Sequence, residues 1–224
     1  MDYLSLTNRV LKALNEVPLT SINFASATGF HADAQDAVNR AIFDVYTEED
    51  TEWPFAWSKI PVNTVIGQTE YAMDASLVSI DWDSFFIRKT TTPYDQRKLM
   101  QLDYDEYREY YSSNDFNNVP TGYSYPESVV RTPQNNFIVT PVPDAIYTII
   151  YEGFSMPSVL ILYSDVPAIP APFEQVIVDK ALHYAYMFRD NMEQANMAQD
   201  RYEKNVNKMR RILIPQITFA RYSE

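Results

Sequence analysis

The segment PAPFEQVIVDKALHYAYMF, residues 170–188, decides the fold that the sequence predicts. Proline is favoured at the first position of a helix, so Pro172 marks a helix start. Apolar side chains then occupy almost every side of this helix, which predicts that it is deeply buried. The segment follows a long proline-rich region, and it therefore marks the point at which the chain returns to helix.

Helical patterns also lie on both sides of this segment. Residues 3–50 carry apolar side chains at three- and four-residue spacing, which predicts two helices. We expect Pro18 to end the first of them and Asp33 to cap the start of the second. Asn191 and Gln194 resemble a capping box, and they predict the start of a fourth helix.

The middle of the chain has a different pattern, with most of the prolines and most of the short β-like runs. LVSIDWDSFFIRK, residues 77–89, is either one bent strand or two. The runs NFIVTP and AIYTIIYEGF predict a hairpin around residues 141–144. One short helix is expected near residues 102–111.

Together these patterns predict an α+β fold. In this prediction the N- and C-terminal segments form a four-helix bundle, and the middle of the chain is an inserted β-rich subdomain. The bundle is expected over residues 1–56 and 166–214 and the insert over residues 57–165. Residues 215–224 are left as a C-terminal tail.

The composition excludes several classes of function. The chain has 224 residues with no Cys, four Gly and two His. Without Cys there is no disulfide scaffold, thiolate zinc site or iron–sulfur cluster, and four glycines leave no room for a Gly-rich phosphate loop. The formal charge of −12 argues against general nucleic-acid binding, because that affinity depends on cations that neutralise phosphates.

No residue stands out as catalytic, cofactor-binding or metal-binding. Asp81 and Asp83 share one face of a strand, but a polar face with Trp82 turned into the core explains this pattern better than a metal site. His183 lies between apolar neighbours and is expected to be a buried histidine with a hydrogen-bond partner. We therefore predict that the protein is not an enzyme and that it uses no cofactor.

A polar segment of the insert is unusually rich in tyrosine. Tyrosine is enriched at interfaces because it combines a large apolar area with a polar tip. Two interpretations remain equally open, a protein contact surface and a Tyr-rich edge of the β subdomain, and a sugar platform is a weaker third. The tyrosines concerned are Tyr104, Tyr107, Tyr110, Tyr111, Tyr123 and Tyr125.

Charge is distributed unevenly along the chain. Residues 1–170 contain 10 basic and 23 acidic residues, whereas residues 171–224 contain 8 basic and 7 acidic residues. Basic residues at the end of a helix suit its dipole, which is one explanation. The alternative is that this helix end and the tail bind an acidic partner through Lys208, Arg210, Arg211, Ile217, Phe219 and Tyr222.

Two blocks of sequence share an order of motifs with a known family. The first contains RVLKALNEVPLTSINF and HADAQDAVNRAIFDVYTEEDTEWPFAW, with a turn at residues 15–18 and a Trp-x-Phe element at residues 53–55. The second is DVPAIPAPFEQVIVDKALHYAYMFRDN, where Pro170, Phe173 and Ile177 match the family's return to helix. These blocks resemble the head-to-tail adaptors of short-tailed bacteriophages, the tail tubular protein A type, although Asn15 replaces the Gly of the family's turn.

The resemblance implies a structural virion protein without catalytic residues. It implies a homo-oligomeric ring of twelve copies at the head–tail junction, between the portal protein and the tail nozzle protein. Double-stranded DNA would pass through its lumen during genome ejection without specific binding. The C-terminal residues named above would then bind the portal, and the six tyrosines would face a neighbouring subunit or the nozzle.

Other expectations concern location and alternative functions. No run reaches the roughly 20 apolar residues of a membrane-spanning helix, and the N-terminus lacks the pattern of a signal peptide. We therefore expect assembly in the host cytoplasm and no membrane partner. The alternatives are a carbohydrate-binding or cell-wall-lytic tail component and another non-enzymatic tail-completion protein.

Overall fold

The protein divides into two compact units. The structure, a computed structural model, describes residues 1–48, 51–89, 95–112 and 122–214. The helical unit comprises residues 1–56 and 156–224, and the β unit comprises residues 57–155. Residues 156–165, which the sequence boundaries assign to the insert, therefore belong to the helical unit.

The described residues form five α-helices, and their ends differ from the predicted ends in two places. The first helix ends before Pro18 because Asn15 takes a positive φ of 56°, and the second begins after Gly29, so Asp33 is not its N-cap. The predicted cap at Asn191 is confirmed, since its side chain accepts a hydrogen bond from the backbone N–H of Gln194 at 3.2 Å. The helices are α1 Tyr3–Ala13, α2 Phe30–Tyr46, α3 Tyr104–Tyr110, α4 Glu174–Phe188 and α5 Met192–Leu213.

The predicted four-helix bundle with an inserted β-rich subdomain is wrong. The described part of the chain is a mixed α+β fold with five α-helices and two four-stranded sheets. In the helical unit, α4 packs against α1, α2 and α5, and α1 also packs against α2. Hydrophobic periodicity indicates which side of a helix is buried, but it does not identify the helices that cover that side.

Both four-stranded sheets lie in the β unit. The first has the order β1-β8-β3-β4 and is antiparallel throughout, and the second has the order β2-β7-β6-β5 with one parallel pair, β5 and β6. The strands are β1 Trp57–Asn63, β2 Glu70–Ala72, β3 Leu77–Lys89, β4 Gln96–Lys98, β5 Met100–Leu102, β6 Ser128–Arg131, β7 Asn136–Thr140 and β8 Tyr147–Ser155.

Three aromatic rings join the two sheets in one core. Phe85 on β3 and Tyr151 on β8 belong to the first sheet and stack with their ring centres 5.0 Å apart. Phe137 on β7 belongs to the second sheet, and its ring lies 5.5 Å from Phe85 and 5.7 Å from Tyr151. Each ring is buried, so the area that these residues remove from water stabilises the contact between the sheets.

Strand pairing differs from the sequence prediction in one case. The hairpin predicted around residues 141–144 is wrong, because β7 and β8 belong to different sheets. Pro141 and Pro143 lie in this connection and have no N–H to donate to a hairpin ladder. The run at residues 77–89 is a single strand with a register shift between Asp81 and Phe86, which corresponds to the bent-strand interpretation.

Candidate functional site

The last turns of α5 carry two of the predicted partner-binding cations on an open surface. Lys208 and Arg211 are exposed, and they line a shallow cavity of about 400 Å³ together with Lys204, Asn207 and Ile212. Cations at the C-terminal end of a helix are also favoured by its dipole. This end of α5 therefore presents a positively charged surface with an apolar residue within it.

Arg210 has a different environment. Its Nε donates a hydrogen bond of 2.9 Å to the hydroxyl of Thr51, and its guanidinium lies 3.6 Å from the carboxylate of Glu48. Both partners belong to the segment that follows α2. Arg210 thus fixes the end of α5 against this segment.

A polar network continues from this contact toward the middle of the helical unit. The hydroxyl of Tyr202 donates to Glu48 at 2.8 Å, and the hydroxyl of Tyr184 donates to Asp44. Lys180 lies between them, with its Nζ 4.8 Å from the centre of the Tyr202 ring and 3.6 Å from the Asp44 carboxylate. The network links α2, α4 and α5 through side chains rather than through backbone.

The tyrosine hydroxyls of this network stay protonated at neutral pH. Burial, followed by the hydrogen bond to Asp44, raises the pKa of Tyr184 to about 12. Burial and the hydrogen bond to Glu48 also raise the pKa of Tyr202 far above its ordinary value. Neutral hydroxyls that donate to carboxylates are suited to holding helices together and not to proton transfer at neutral pH.

Three further predicted contact residues, Ile217, Phe219 and Tyr222, lie outside the described residues. Their assignment as apolar anchors of the tail stays a prediction. The nearest described residue is Ile214, which directly follows the end of α5 at Leu213.

The tyrosines of α3 separate into buried and exposed positions. Tyr107 is 5% exposed and packs against Val130 and Ile138, whereas Tyr110 is 61% and Tyr111 is 41% exposed. Residues three and four positions apart lie on the same side of an α-helix, so this division does not follow from the helical period. The contact of α3 with β6 covers Tyr107 and leaves the end of the helix exposed. Tyr110 at the end of α3 and Tyr111, the residue that follows it, therefore remain as an open contact surface.

Tyr104 lies beside a cleft of the β unit. The guanidinium of Arg108 lies 5.9 Å from the centre of the Tyr104 ring, in a cation–π contact. Both residues line a cleft of about 720 Å³, and the other lining residues are Thr69, Glu70, Tyr107, Ser112 and Ile138.

The last two predicted tyrosines are half-buried parts of the β unit. Tyr125 donates a hydrogen bond of 3.2 Å to the carbonyl oxygen of Ile87, and its ring lies 4.8 Å from that of Tyr147. The ring of Tyr123 covers Gly67, where an added Cβ would lie 3.1 Å from the Tyr123 hydroxyl. The six tyrosines therefore do not form one continuous surface.

The residues that the sequence analysis examined as possible catalytic or metal-binding groups form hydrogen bonds or ion pairs within the fold. His183 Nδ1 lies 3.0 Å from the carbonyl oxygen of Ala195, and Asp83 forms an ion pair of 3.1 Å with Lys98. Within the described ranges, no group of three or more His, Asp or Glu residues is placed to hold a metal ion. No helix in those ranges is both long and apolar enough to cross a membrane.

The comparison with protein families identifies the chain. Residues 1–222 match the family model described as SU10 adaptor protein. The chain belongs to the SU10 adaptor protein family. This match confirms the resemblance to phage head–tail adaptors, which rested on the two helical blocks of sequence. The adaptor is a structural phage protein and a component of the virion. A search of curated proteins found no match.

The adaptor has one exposed surface that the sequence prediction missed. Five large apolar side chains are 44% to 75% exposed within residues 159–166, here called the apolar loop. The run VLILY was the available signal, but the sequence prediction only included it in the β-rich insert, residues 57–165. The exposed residues are Val159, Ile161, Leu162, Tyr163 and Val166.

A second surface lies between α2 and α4 of the adaptor. Here Met187 is 42% and Phe188 is 64% exposed, so the prediction that this helix is buried on all sides is wrong for its last turn. The two residues border a cavity of about 380 Å³, here called the α2–α4 groove. Its lining residues are Asp33, Asp36, Ala37, Arg40, Tyr184, Ala185, Met187 and Phe188.

Proposed function

We propose that this adaptor forms a ring between the portal protein and the tail nozzle protein at the head–tail junction. As the resemblance implies, twelve copies surround a lumen through which double-stranded DNA passes. The observation that carries the proposal is the family match over residues 1–222, together with the positively charged end of α5.

The end of α5 and the tail bind the portal in this proposal. Lys208 and Arg211 are exposed, so they are available to acidic residues of a partner. Arg210 acts as a positioning residue, because its contacts with Thr51 and Glu48 hold the helix end in one place. Ile217, Phe219 and Tyr222 of the tail supply apolar anchors.

The exposed tyrosines of α3 face a neighbouring subunit or the nozzle. Tyr110 and Tyr111 have the exposure that this role needs. Tyr104, Tyr107, Tyr123 and Tyr125 are packed more closely within the β unit and are less available to a partner.

The acidic composition suits a channel for DNA. The net charge of −12 repels phosphates, so DNA is not retained while it passes. The proposal therefore includes no specific DNA contact. It also includes no enzymatic step, and a role in sugar binding is less well supported because the six tyrosines do not form one continuous surface.

Binding to the portal protein of the same phage tests the proposal. The double variant Lys208→Glu/Arg211→Glu is expected to weaken portal binding at least tenfold, and wild-type binding is expected to weaken as salt is raised. The matched control is Lys12→Glu/Arg201→Glu, which makes the same change of charge at two exposed positions of the helical unit.

Electron microscopy of the adaptor mixed with portal rings gives the stoichiometry and the position together. A ring of twelve copies on the tail-facing side of the portal is the expected image. Equal binding by the double variant and the wild type would overturn the assignment of the α5 end. Adaptor that does not associate with portal rings would overturn the whole proposal.

A further inference from the structure

The apolar loop is held in a fixed conformation although its side chains face outward. The carboxylate of Asp165 accepts hydrogen bonds from the backbone N–H groups of Ile161 and Leu162, at 2.8 and 2.7 Å. The carbonyl oxygens of Asp165 and Tyr163 accept hydrogen bonds from the start of α1, at 2.8 and 3.0 Å. A braced turn loses little conformational freedom on binding, and exposed apolar side chains that are grouped together are typical of an interaction site.

One side chain of the loop points inward and anchors it to α2. Leu160 is 6% exposed, and the side chain of Asn39 both donates to its carbonyl oxygen and accepts from its N–H, each at 3.0 Å. This pair of hydrogen bonds fixes the position of the loop on the side of α2 that carries Asn39.

The α2–α4 groove lies on another side of the same helix. It is lined by Asp36 and Arg40 of α2, and successive residues of an α-helix are about 100° apart around its axis. Asn39 and Arg40 therefore point in different directions. None of the described residues that line the groove belongs to the apolar loop, so the loop of the same chain leaves the groove open.

The groove matches the loop in chemistry. Its floor contains Ala37 and Ala185, whose short side chains leave space, and its edge contains the exposed side chains of Met187 and Phe188. The cavity of about 380 Å³ is within the range of about 300–1,000 Å³ that is typical of ligand pockets. The rim carries Asp33 and Asp36, which can accept a hydrogen bond from the hydroxyl of an inserted tyrosine such as Tyr163.

We propose that the apolar loop of one copy of this chain binds in the α2–α4 groove of a second copy. Two different surfaces on one subunit make a heterologous contact, and repetition of such a contact closes into a ring when the rotation allows it. This inference deepens the proposed ring because it assigns the surfaces of the subunit contact. Portal binding, by contrast, uses the end of α5.

Cross-linking between single cysteines tests this contact, because the chain contains no Cys of its own. Leu162→Cys and Met187→Cys proteins are mixed in equal amounts and treated with a short bis-maleimide. The expected product is a mixed dimer that contains one copy of each variant. The matched control mixes Leu162→Cys with Ile22→Cys, since Ile22 is 92% exposed and lies outside both surfaces.

The outcomes separate this inference from the proposed portal contact. A mixed dimer at least tenfold above the control supports the inference. A mixed dimer at the level of the control overturns it. The inference is also overturned if Leu162→Cys alone gives as much dimer as the mixture, because this would indicate a symmetric contact or another partner for the loop. If the mixed dimer does not form and the portal is still bound, only the subunit contact is refuted. If the mixed dimer forms and the portal is not bound, only the portal contact is refuted.

The charged variant Ile161→Asp gives a second measurement. Its side chain is 75% exposed, so the substitution is expected to leave the unfolding transition unchanged while it reduces self-association in sedimentation experiments at least tenfold. Ile22→Asp is the control for the same change at another exposed position. Equal self-association of Ile161→Asp and the wild type overturns the assignment of the loop.

Discussion

The hydroxyl of Tyr202 donates a hydrogen bond of 2.8 Å to the carboxylate of Glu48, and Tyr202 itself is 3% exposed. Glu48 also pairs with the guanidinium of Arg210, which lies just over two turns further along α5, at 3.6 Å. A single carboxylate after α2 therefore fixes α5 at two points. The proposed portal surface depends on this attachment, because Lys208 lies between those two points.

Replacement of Tyr202 by phenylalanine removes only this hydroxyl. We expect Tyr202→Phe to lower the free energy of unfolding by about 1–2 kcal/mol, because a partly buried hydrogen bond to a charged group is lost. Chemical denaturation followed by circular dichroism measures this change. Tyr110→Phe is the control at an exposed hydroxyl and should differ from the wild type by less than about 0.5 kcal/mol. Equal effects of the two substitutions would contradict the role of the network.

Alkaline pH should destabilise the protein through its buried tyrosines. The pKa values of Tyr184 and Tyr147 are raised to about 12, in each case by burial first and by a hydrogen bond to a carboxylate second. The folded protein therefore binds the tyrosine protons more tightly than the unfolded chain, whose tyrosines titrate near 10. The stabilisation is complete below pH 10 and is lost as the pH rises from 10 to 12.

Unfolding measured at several pH values checks this dependence. The free energy of unfolding should fall more steeply between pH 10 and 12 for the wild type than for Tyr184→Phe. A titration of tyrosinate absorbance should show late-titrating groups in the folded protein. Identical slopes for the two proteins would refute the assignment of Tyr184.

Gly153 is a position where the β unit should tolerate no side chain. An added Cβ would lie 2.4 Å from the backbone oxygen of Ser79, on the neighbouring strand. We expect Gly153→Ala to destabilise the protein by about 1–3 kcal/mol, because backbone must move to relieve the overlap. Gly122→Ala is the control, since no described atom lies within 4 Å of its added Cβ. Thermal unfolding of both variants measures the difference, and a stable Gly153→Ala protein would exclude this close approach of β3 and β8.

Deletion of residues 215–224 should separate portal binding from folding. The deletion follows the last described helix residue, Leu213, and therefore removes no described helix residue. We expect an unfolding transition within about 0.5 kcal/mol of the wild type and at least a tenfold loss of portal binding. A pull-down with portal protein measures the binding. Full binding by the truncated adaptor would remove the tail from the proposed contact.

The local structure of this protein was largely predictable from its sequence. The cap at Asn191, the short helix at Tyr104–Tyr110 and the helix after Pro172 each follow from backbone preferences or side-chain periodicity that act within a few residues. The boundaries predicted at Pro18 and Asp33 were misplaced by a few residues. Asn15, which has a positive φ, follows the end of α1 before Pro18 is reached, and Gly29, which also has a positive φ, precedes the start of α2 before Asp33.

Long-range arrangement was not predictable in the same way. The pairing of β7 with β2 and β6, rather than with β8, depends on which strands cover Phe137, and a single sequence does not contain that information. The apolar loop and the last turn of α4 were missed for a related reason. Exposure of Leu162 or Phe188 is a property of the packed unit, whereas apolar character alone predicts burial.

The register of β1 with β8 has a consequence for how this protein can vary. Trp57 is the first residue of the β unit and lies directly opposite Phe154, one residue before its last. The Cα atoms of paired residues in antiparallel strands are about 4.5–5.5 Å apart, so the two ends of the β unit lie side by side. A linker of a few residues spans that distance, so we expect residues 57–155 to be replaceable as one unit without change to the apolar loop, the α2–α4 groove or the end of α5 in the helical unit.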